Sequence, residues 1–153
     1  MISIQELVHQ QISFYHTDNV KELLDYHNIE VFYTDNVFNH HDSCIVMFQG
    51  HGNINIKNNI NPLYENFLLA HELGHYLLHY DEDISFSFLL NCYKNKLEKE
   101  ANEFACRLLL NDVSFDENTN IEFIIKEKGI PLKIWYSLSD KLLPNLYKRE
   151  ETA

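Results

Sequence analysis

Between Asn61 and His79 the chain carries His71-Glu72-Leu73-Gly74-His75 inside a leucine-rich run. Any fold it adopts must therefore accommodate two imidazoles and a carboxylate on an apolar helix. The helix is readable from its residues. Asn61 is a capping residue, Pro62 suits a first turn, and Leu63, Phe67, Leu68, Leu69, Leu73, Leu77 and Leu78 supply apolar positions. With about 3.6 residues per turn, residues four apart lie one above the other, so His71 and His75 present their rings to one point. Glu72 lies about 100° round the wheel from His71, beside that point rather than on it. Burying such groups uncompensated costs several kcal/mol, and a divalent cation is the simplest compensation. The bland alternative is a core helix whose histidines are satisfied by hydrogen bonds. Two neutral nitrogen ligands with a carboxylate beside an open position is the arrangement a zinc-dependent hydrolase needs.

A catalytic zinc wants a third protein ligand. His79 continues the same face, but one straight helix rises about 12 Å over eight residues, too far for both ends to converge on one ion. His79 is expected to stand behind the ligands or to face the substrate, where it could donate to a developing oxyanion. The better candidate lies in Leu97-Glu98-Lys99-Glu100-Ala101-Asn102-Glu103-Phe104-Ala105. Leu97, Ala101, Phe104, Ala105, Leu108 and Leu109 share one helical face. Glu98 lies about 60° from the centre of that face, Glu100 about 100° away and Glu103 nearly opposite. Glu98 is thus expected to point inward, while Glu100 and Glu103 share a solvated stripe with Lys96 and Arg107. Asn102, one turn after Glu98, could accept the free ring N–H of His71. The alternative for Glu98 is a boundary carboxylate in a salt bridge.

His71-Glu72-Leu73-Gly74-His75-Tyr76-Leu77-Leu78-His79, followed by Glu98-x-x-Ala101-Asn102-x-Phe104-Ala105 and Leu108-Leu109-Leu110, resembles the ImmA/IrrE family of metallopeptidases. Two separated motifs in the right order carry the likeness, which spans roughly residues 29 to 110. The resemblance implies a gluzincin-like site, with His71, His75 and Glu98 as Zn²⁺ ligands and Glu72 as general base. It also implies cleavage of a helix-turn-helix repressor that controls a phage, a mobile element or a stress regulon. Where the family usually places a proline after its leucines, this chain has Asn111-Asp112. Tyr76 and His79 are further candidates to stabilise an oxyanion.

A chain of 153 residues is long enough for one real core and short for two. We expect a single α+β domain, mainly helical, with an approximately three-stranded antiparallel sheet packed on the helix of His71. Residues 1–110 would form the zincin-like core and 111–153 a helical extension. A formal net charge of −11 argues against direct nucleic-acid binding, which needs a basic patch. It permits a basic protein partner, such as a DNA-binding repressor. Cys44, Cys92 and Cys106 are odd in number and widely spaced, so no disulfide framework or zinc knuckle is indicated. Cys106 reads as a packing residue. With no basic, apolar leader at the N-terminus and no stretch near the ~18 apolar residues of a membrane span, a cytoplasmic protein without a membrane partner is expected. Oligomeric state is not legible.

The remaining elements follow from periodicity. Ile4, Leu7, Val8, Gln11 and Ile12 mark a first helix. Asp18 or Asn19 can cap a second, carrying Val20, Leu23, Leu24 and His27, with Asn28 as its stop. Residues 29–33 and 44–48 read as strands, joined by a polar loop containing His40-His41. Gln49-Gly50-His51-Gly52 is a turn into the alternating residues 53–57, and this hairpin could offer an edge strand to an extended substrate or merely close the sheet. Asp81-Glu82-Asp83 reads as a solvated loop, and Phe86, Phe88, Leu89 and Leu90 as an apolar lid or groove. Thr119-Asn120-Ile121-Glu122 reads as a capping box, Gly129 as a stop and Pro131 as the start of a helix with Ile134, Trp135 and Leu138. That pair resembles a helix-turn-helix, and packing is favoured over DNA contact. Residues after Pro144 are expected to fray. A non-enzymatic reading also stands: a regulator that binds a repressor, its zinc purely structural.

Overall fold

The computed structural model describes residues 2–38, 41–79 and 91–147. His40, the acidic run from Asp81, the apolar segment from Phe86 and the residues after Tyr147 lie outside that range. So do the side chains of Phe48 and of residues 91–94, including Cys92. In chain order the elements are α1 (Ile4–Tyr15), α2 (Val20–Tyr26), β1 (Glu30–Thr34), β2 (Ser43–Phe48), β3 (His51–Lys57), α3 (Pro62–His79), α4 (Asn91–Leu109), α5 (Ile121–Glu127) and α6 (Leu132–Leu146). The fold is α+β and mainly helical. Among the described residues, no helix is long and apolar enough to cross a membrane.

Local chemistry accounts for most of the boundaries. Ser3 caps α1 through a reciprocal capping box with Glu6. Asn19 caps α2, and Asn28 ends it in a left-handed conformation, φ 57°. Asn61 Oδ1 accepts the amide of Leu63 at 2.8 Å, opening α3 at Pro62. At α5 the cap is Asn120, which accepts the Phe123 amide, while the Thr119 hydroxyl is turned back to Asp116. The expected Thr119–Glu122 box therefore does not form, because the 116–119 turn claims the threonine and Asn120, one residue later, caps the helix alone. Gly129 ends the α5 region at φ +75°, pressed so closely on α3 that a Cβ there would sit 1.9 Å from the Leu63 carbonyl oxygen.

The three strands run in the order β1-β3-β2, with β1 parallel to β3 and β2 antiparallel to it. The sheet is mixed, not antiparallel throughout. The reason lies in β3, where Gly52, Ile54 and Ile56 are buried at every second position while His51, Asn53 and Lys57 are exposed. The strand with the most complete apolar face takes the centre, and β2 itself serves as the crossover that returns the chain parallel to β1. Gln49 and Gly50, both at positive φ, make the tight hairpin turn. Consequently β3 is not the edge strand; the edge strand of the hairpin is β2.

Helix α3 is the axis of the molecule. Eight consecutive residues, Phe67 to Gly74, are buried, which happens only when a helix is covered on all sides. It packs on α4, on α2 and on the β2–β3 hairpin. Gly74 permits the closest approach: a Cβ there would meet Phe104 of α4 at 3.1 Å. The apolar face of α4 is buried from Leu97 through Leu109. Cys106 lies within it, and burial pushes its thiol up to about 12.

Glu103 departs from the solvated stripe expected of it. It is 4% exposed, because α6 covers that side of α4 with Trp135, Leu138, Leu142 and Leu146. Arg107 Nε at 2.9 Å and Lys141 Nζ at 2.8 Å neutralise its carboxylate, and Arg107 Nη1 donates to Asn145 at 2.9 Å. The end of α6 is likewise held rather than frayed. Leu146 is buried, its carbonyl accepts the Phe115 amide at 2.8 Å, and Tyr147 pairs with Phe115.

Candidate metal centre

Two adjacent turns of α3 and one turn of α4 build the site. His71 Nε2 and His75 Nε2 lie 3.1 Å apart. Glu98, from α4, brings Oε1 to 3.0 Å of His75 Nε2 and Oε2 to 3.2 Å of His71 Nε2. A tetrahedral zinc with bonds of about 2.0–2.1 Å separates its ligand atoms by about 3.3 Å. The two imidazole nitrogens and the carboxylate thus already stand at about that spacing, each nitrogen meeting its own Glu98 oxygen, and their chemistry fits a borderline-soft divalent ion. His71, Glu72 and His75 offer ligand atoms within 4.8 Å of one another. The His71 and His75 side chains are 10% and 13% exposed, whereas that of Glu98 is 45% exposed. Among the described residues the cluster is therefore shielded on the α3 side and more exposed on the α4 side.

The orienting contacts come from three elements. His71 Nδ1 lies 2.7 Å from Asn102 Oδ1; an amide oxygen only accepts, so Nδ1 carries the proton and Nε2 keeps its lone pair for the cluster. His75 Nδ1 lies 3.0 Å from His79 Nδ1. Glu72 is 4% exposed and accepts a hydrogen bond from Ser43 Oγ at 3.0 Å, which ties the carboxylate to the first residue of the edge strand. Sequence reasoning missed Ser43; nothing in its surroundings pairs it with a residue 29 positions away. Tyr76 turns its ring to the sheet at Gly52 and lies edge-on to His27, 5.7 Å between centroids.

Electrostatics reinforce the geometry. Burial alone would lower the pKa of His71, but its hydrogen bond to Glu98 and the charges of Glu72 and Glu98 outweigh this and raise it. Burial of Glu98 is likewise overridden by His71 and His75, which hold its carboxyl far below the usual range. His79 is pushed down to about 4 by burial and by the neighbouring charge of His75, with Glu100 offsetting only part. A cation bound there would compete with protons for the same imidazole and carboxylate lone pairs.

A helix bearing two histidines that meet a carboxylate from the next helix defines a class of metal-dependent hydrolytic site. Residues 24–131 match the family model described as the IrrE N-terminal-like domain of the peptidase M78 group, and the chain belongs to that family of metallopeptidases. It is similar to the metallopeptidase ImmA of Bacillus subtilis strain 168, with 32% identity over 121 residues covering 74% of this chain and 67% of the relative. It is also similar to the uncharacterized immunity region protein 2 of Bacillus phage phi105, 32% identical over 139 residues, 86% of this chain and 85% of that protein.

Proposed function

We propose that this protein is a zinc-dependent endopeptidase of the cytoplasm that cuts a DNA-binding helix-turn-helix repressor. The carrying observation is the pair His71 Nε2 and His75 Nε2, 3.1 Å apart, each with one oxygen of the Glu98 carboxylate at 3.2 and 3.0 Å respectively, with the buried Glu72 alongside. His71, His75 and Glu98 would hold the ion. When bound, Zn²⁺ supplies Lewis acidity that polarises a peptide carbonyl and makes a water molecule acidic. Glu72 takes that water's proton as it attacks the scissile carbonyl and passes it to the leaving amine. Ser43 steadies the Glu72 carboxylate through Oε2, and Asn102 keeps His71 in its ligating tautomer. The outer edge of β2, unpaired with another strand among the described residues, supports an extended substrate strand laid beside the site by backbone hydrogen bonds. The name of the phage relative, an immunity region protein, supports a repressor of a phage or other mobile element as the substrate.

The test is to incubate zinc-loaded protein with repressors encoded beside its gene and identify fragments by mass spectrometry, with and without a chelator. Fragments that vanish with the chelator and with Glu72→Gln are expected. Derepression without any fragment would overturn the peptidase reading in favour of a binding regulator with structural zinc.

A further inference from the structure

His75 differs from His71 in how its second nitrogen is held. His71 reaches a plain acceptor, the amide oxygen of Asn102, at 2.7 Å. His75 Nδ1 instead faces another imidazole nitrogen, His79 Nδ1, at 3.0 Å. Two ring nitrogens at that distance require one donor and one acceptor. If His75 presents Nε2 to the cluster as a lone pair, its single proton is on Nδ1, and His79 Nδ1 must accept. The proton of neutral His79 is then on Nε2. That nitrogen is buried and has no hydrogen-bond partner among the described residues. The group it faces is a carboxylate: Glu100 Oε2, at 3.6 Å.

We infer that His79 and Glu100 form a positioning relay, His75 to His79 to Glu100, which locks the ligating tautomer of His75 and strengthens its Nε2 as a metal donor. The inference rests on the ligand set proposed above. Glu100 sits two residues beyond Glu98 on α4, so this helix would hold the ion through one carboxylate and reaches His79 through the other. Each ligand histidine thereby acquires an acceptor through α4: Asn102 directly for His71, and Glu100 by way of His79 for His75. The relay also accounts for a buried imidazole that otherwise has an orphaned N–H, since a facing negative charge compensates what a hydrogen bond does not. Both roles follow from position: His79 is one turn beyond His75 on α3, and Glu100 projects from α4 to the far side of its ring.

The readouts are zinc affinity, by competition with a chromophoric chelator, and histidine tautomers, by two-bond ¹⁵N–¹H NMR of the zinc-loaded protein. Glu100 is partly exposed, 27% for its side chain, so Glu100→Ala is the primary variant and His79→Phe the second. We expect Glu100→Ala to keep its helical circular dichroism and bind zinc about 10–100-fold more weakly. Glu100→Gln, which retains an acceptor without the charge, should fall between it and the parent. In the parent the spectrum should show protons on His75 Nδ1 and His79 Nε2; in Glu100→Ala the His79 proton should be redistributed towards Nδ1. A merely structural Glu100 would not move these tautomers. A parent that takes up no zinc, or a Glu98→Ala variant that keeps it, overturns the ligand set and the relay with it. A parent that binds zinc while Glu100→Ala and His79→Phe bind it as tightly overturns the relay alone, as does a His79 protonated on Nδ1 in the zinc-loaded parent.

Discussion

Gly74→Ala tests whether the spacing of two helices sets the metal site. A methyl group at Gly74 would lie 3.1 Å from Cβ and Cδ1 of Phe104 and 3.2 Å from its Cγ. Carbon atoms settle at about 3.5–4.0 Å, so α3 and α4 must part by roughly 0.4 Å or more. Phe104 is fully buried and has little room to turn aside. Alanine favours the helix over glycine by about 0.8–1.0 kcal/mol, whereas overpacking costs about 1–3 kcal/mol. The difference is a net destabilisation of up to about 2 kcal/mol, or a fall in Tm of up to roughly 8 °C for a domain of this size. Glu98 rides on the displaced helix, so the donor set opens and zinc affinity should drop by roughly tenfold or more. Thermal melts of the metal-free protein and chelator competition measure the two effects separately. A Gly74→Ala protein that melts above the parent, as helix propensity alone dictates, and binds zinc unchanged would refute the reasoning.

Glu72→Gln should retain zinc, measured by atomic absorption, while cleavage falls by about 10²–10⁴-fold; equal cleavage would remove Glu72 from the general-base role. Glu103→Ala should cost about 1–3 kcal/mol in urea unfolding, because it removes the buried carboxylate that Arg107 Nε and Lys141 Nζ share, yet leave zinc affinity within about twofold of the parent. The pH dependence of the metal-free and zinc-loaded forms should diverge. His71 has a raised pKa, so its contribution to metal-free stability is complete below its ordinary 6.5 and is lost as pH rises through the raised value. Glu98 has a depressed pKa, so its contribution is present above its ordinary 4.5 and disappears as pH falls through the depressed value. Zinc requires the deprotonated imidazole, so its affinity should weaken about tenfold per pH unit, for each proton displaced, below the raised His71 value. The gap in Tm between zinc-loaded and metal-free protein should therefore widen as pH rises; a gap that is flat between pH 5.5 and 8, within about experimental error, would contradict this competition between metal and proton.

Removing β2's tie to the site is a milder perturbation. Ser43→Ala should leave zinc bound and reduce kcat by a factor of roughly 3–10, the order of one lost hydrogen bond of about 1 kcal/mol. Steady-state kinetics on a cleaved repressor peptide would show it, and an unchanged kcat would mean that Glu72 is held by the α3 backbone and packing alone.

Local chemistry made much of this molecule legible before any tertiary contact was considered. A helix repeats every few residues, so the spacing of His71 and His75 already places two nitrogens on one face, and the apolar face of α4 already turns Glu98 towards its partner. Asn19, Asn61 and Gly129 mark boundaries for the same reason: each acts on neighbours within one turn. Other features depend on what a distant segment covers, and no periodicity reports that. Glu103 lies opposite the apolar face of α4, yet α6 closes over it with Lys141 and makes it one of the buried acids of the protein. The alternation in residues 53–57 identifies a strand but not its place; β3 becomes central, and the sheet mixed, because β1 pairs with it on one side and β2 on the other, a choice no local alternation specifies. Ser43 meets Glu72, and His79 meets Glu100, across helix and strand packing that joins residues 29 and 21 positions apart. Short-range geometry is written in the order of residues, whereas a buried polar contact between elements exists only once their apolar faces have chosen how to pack.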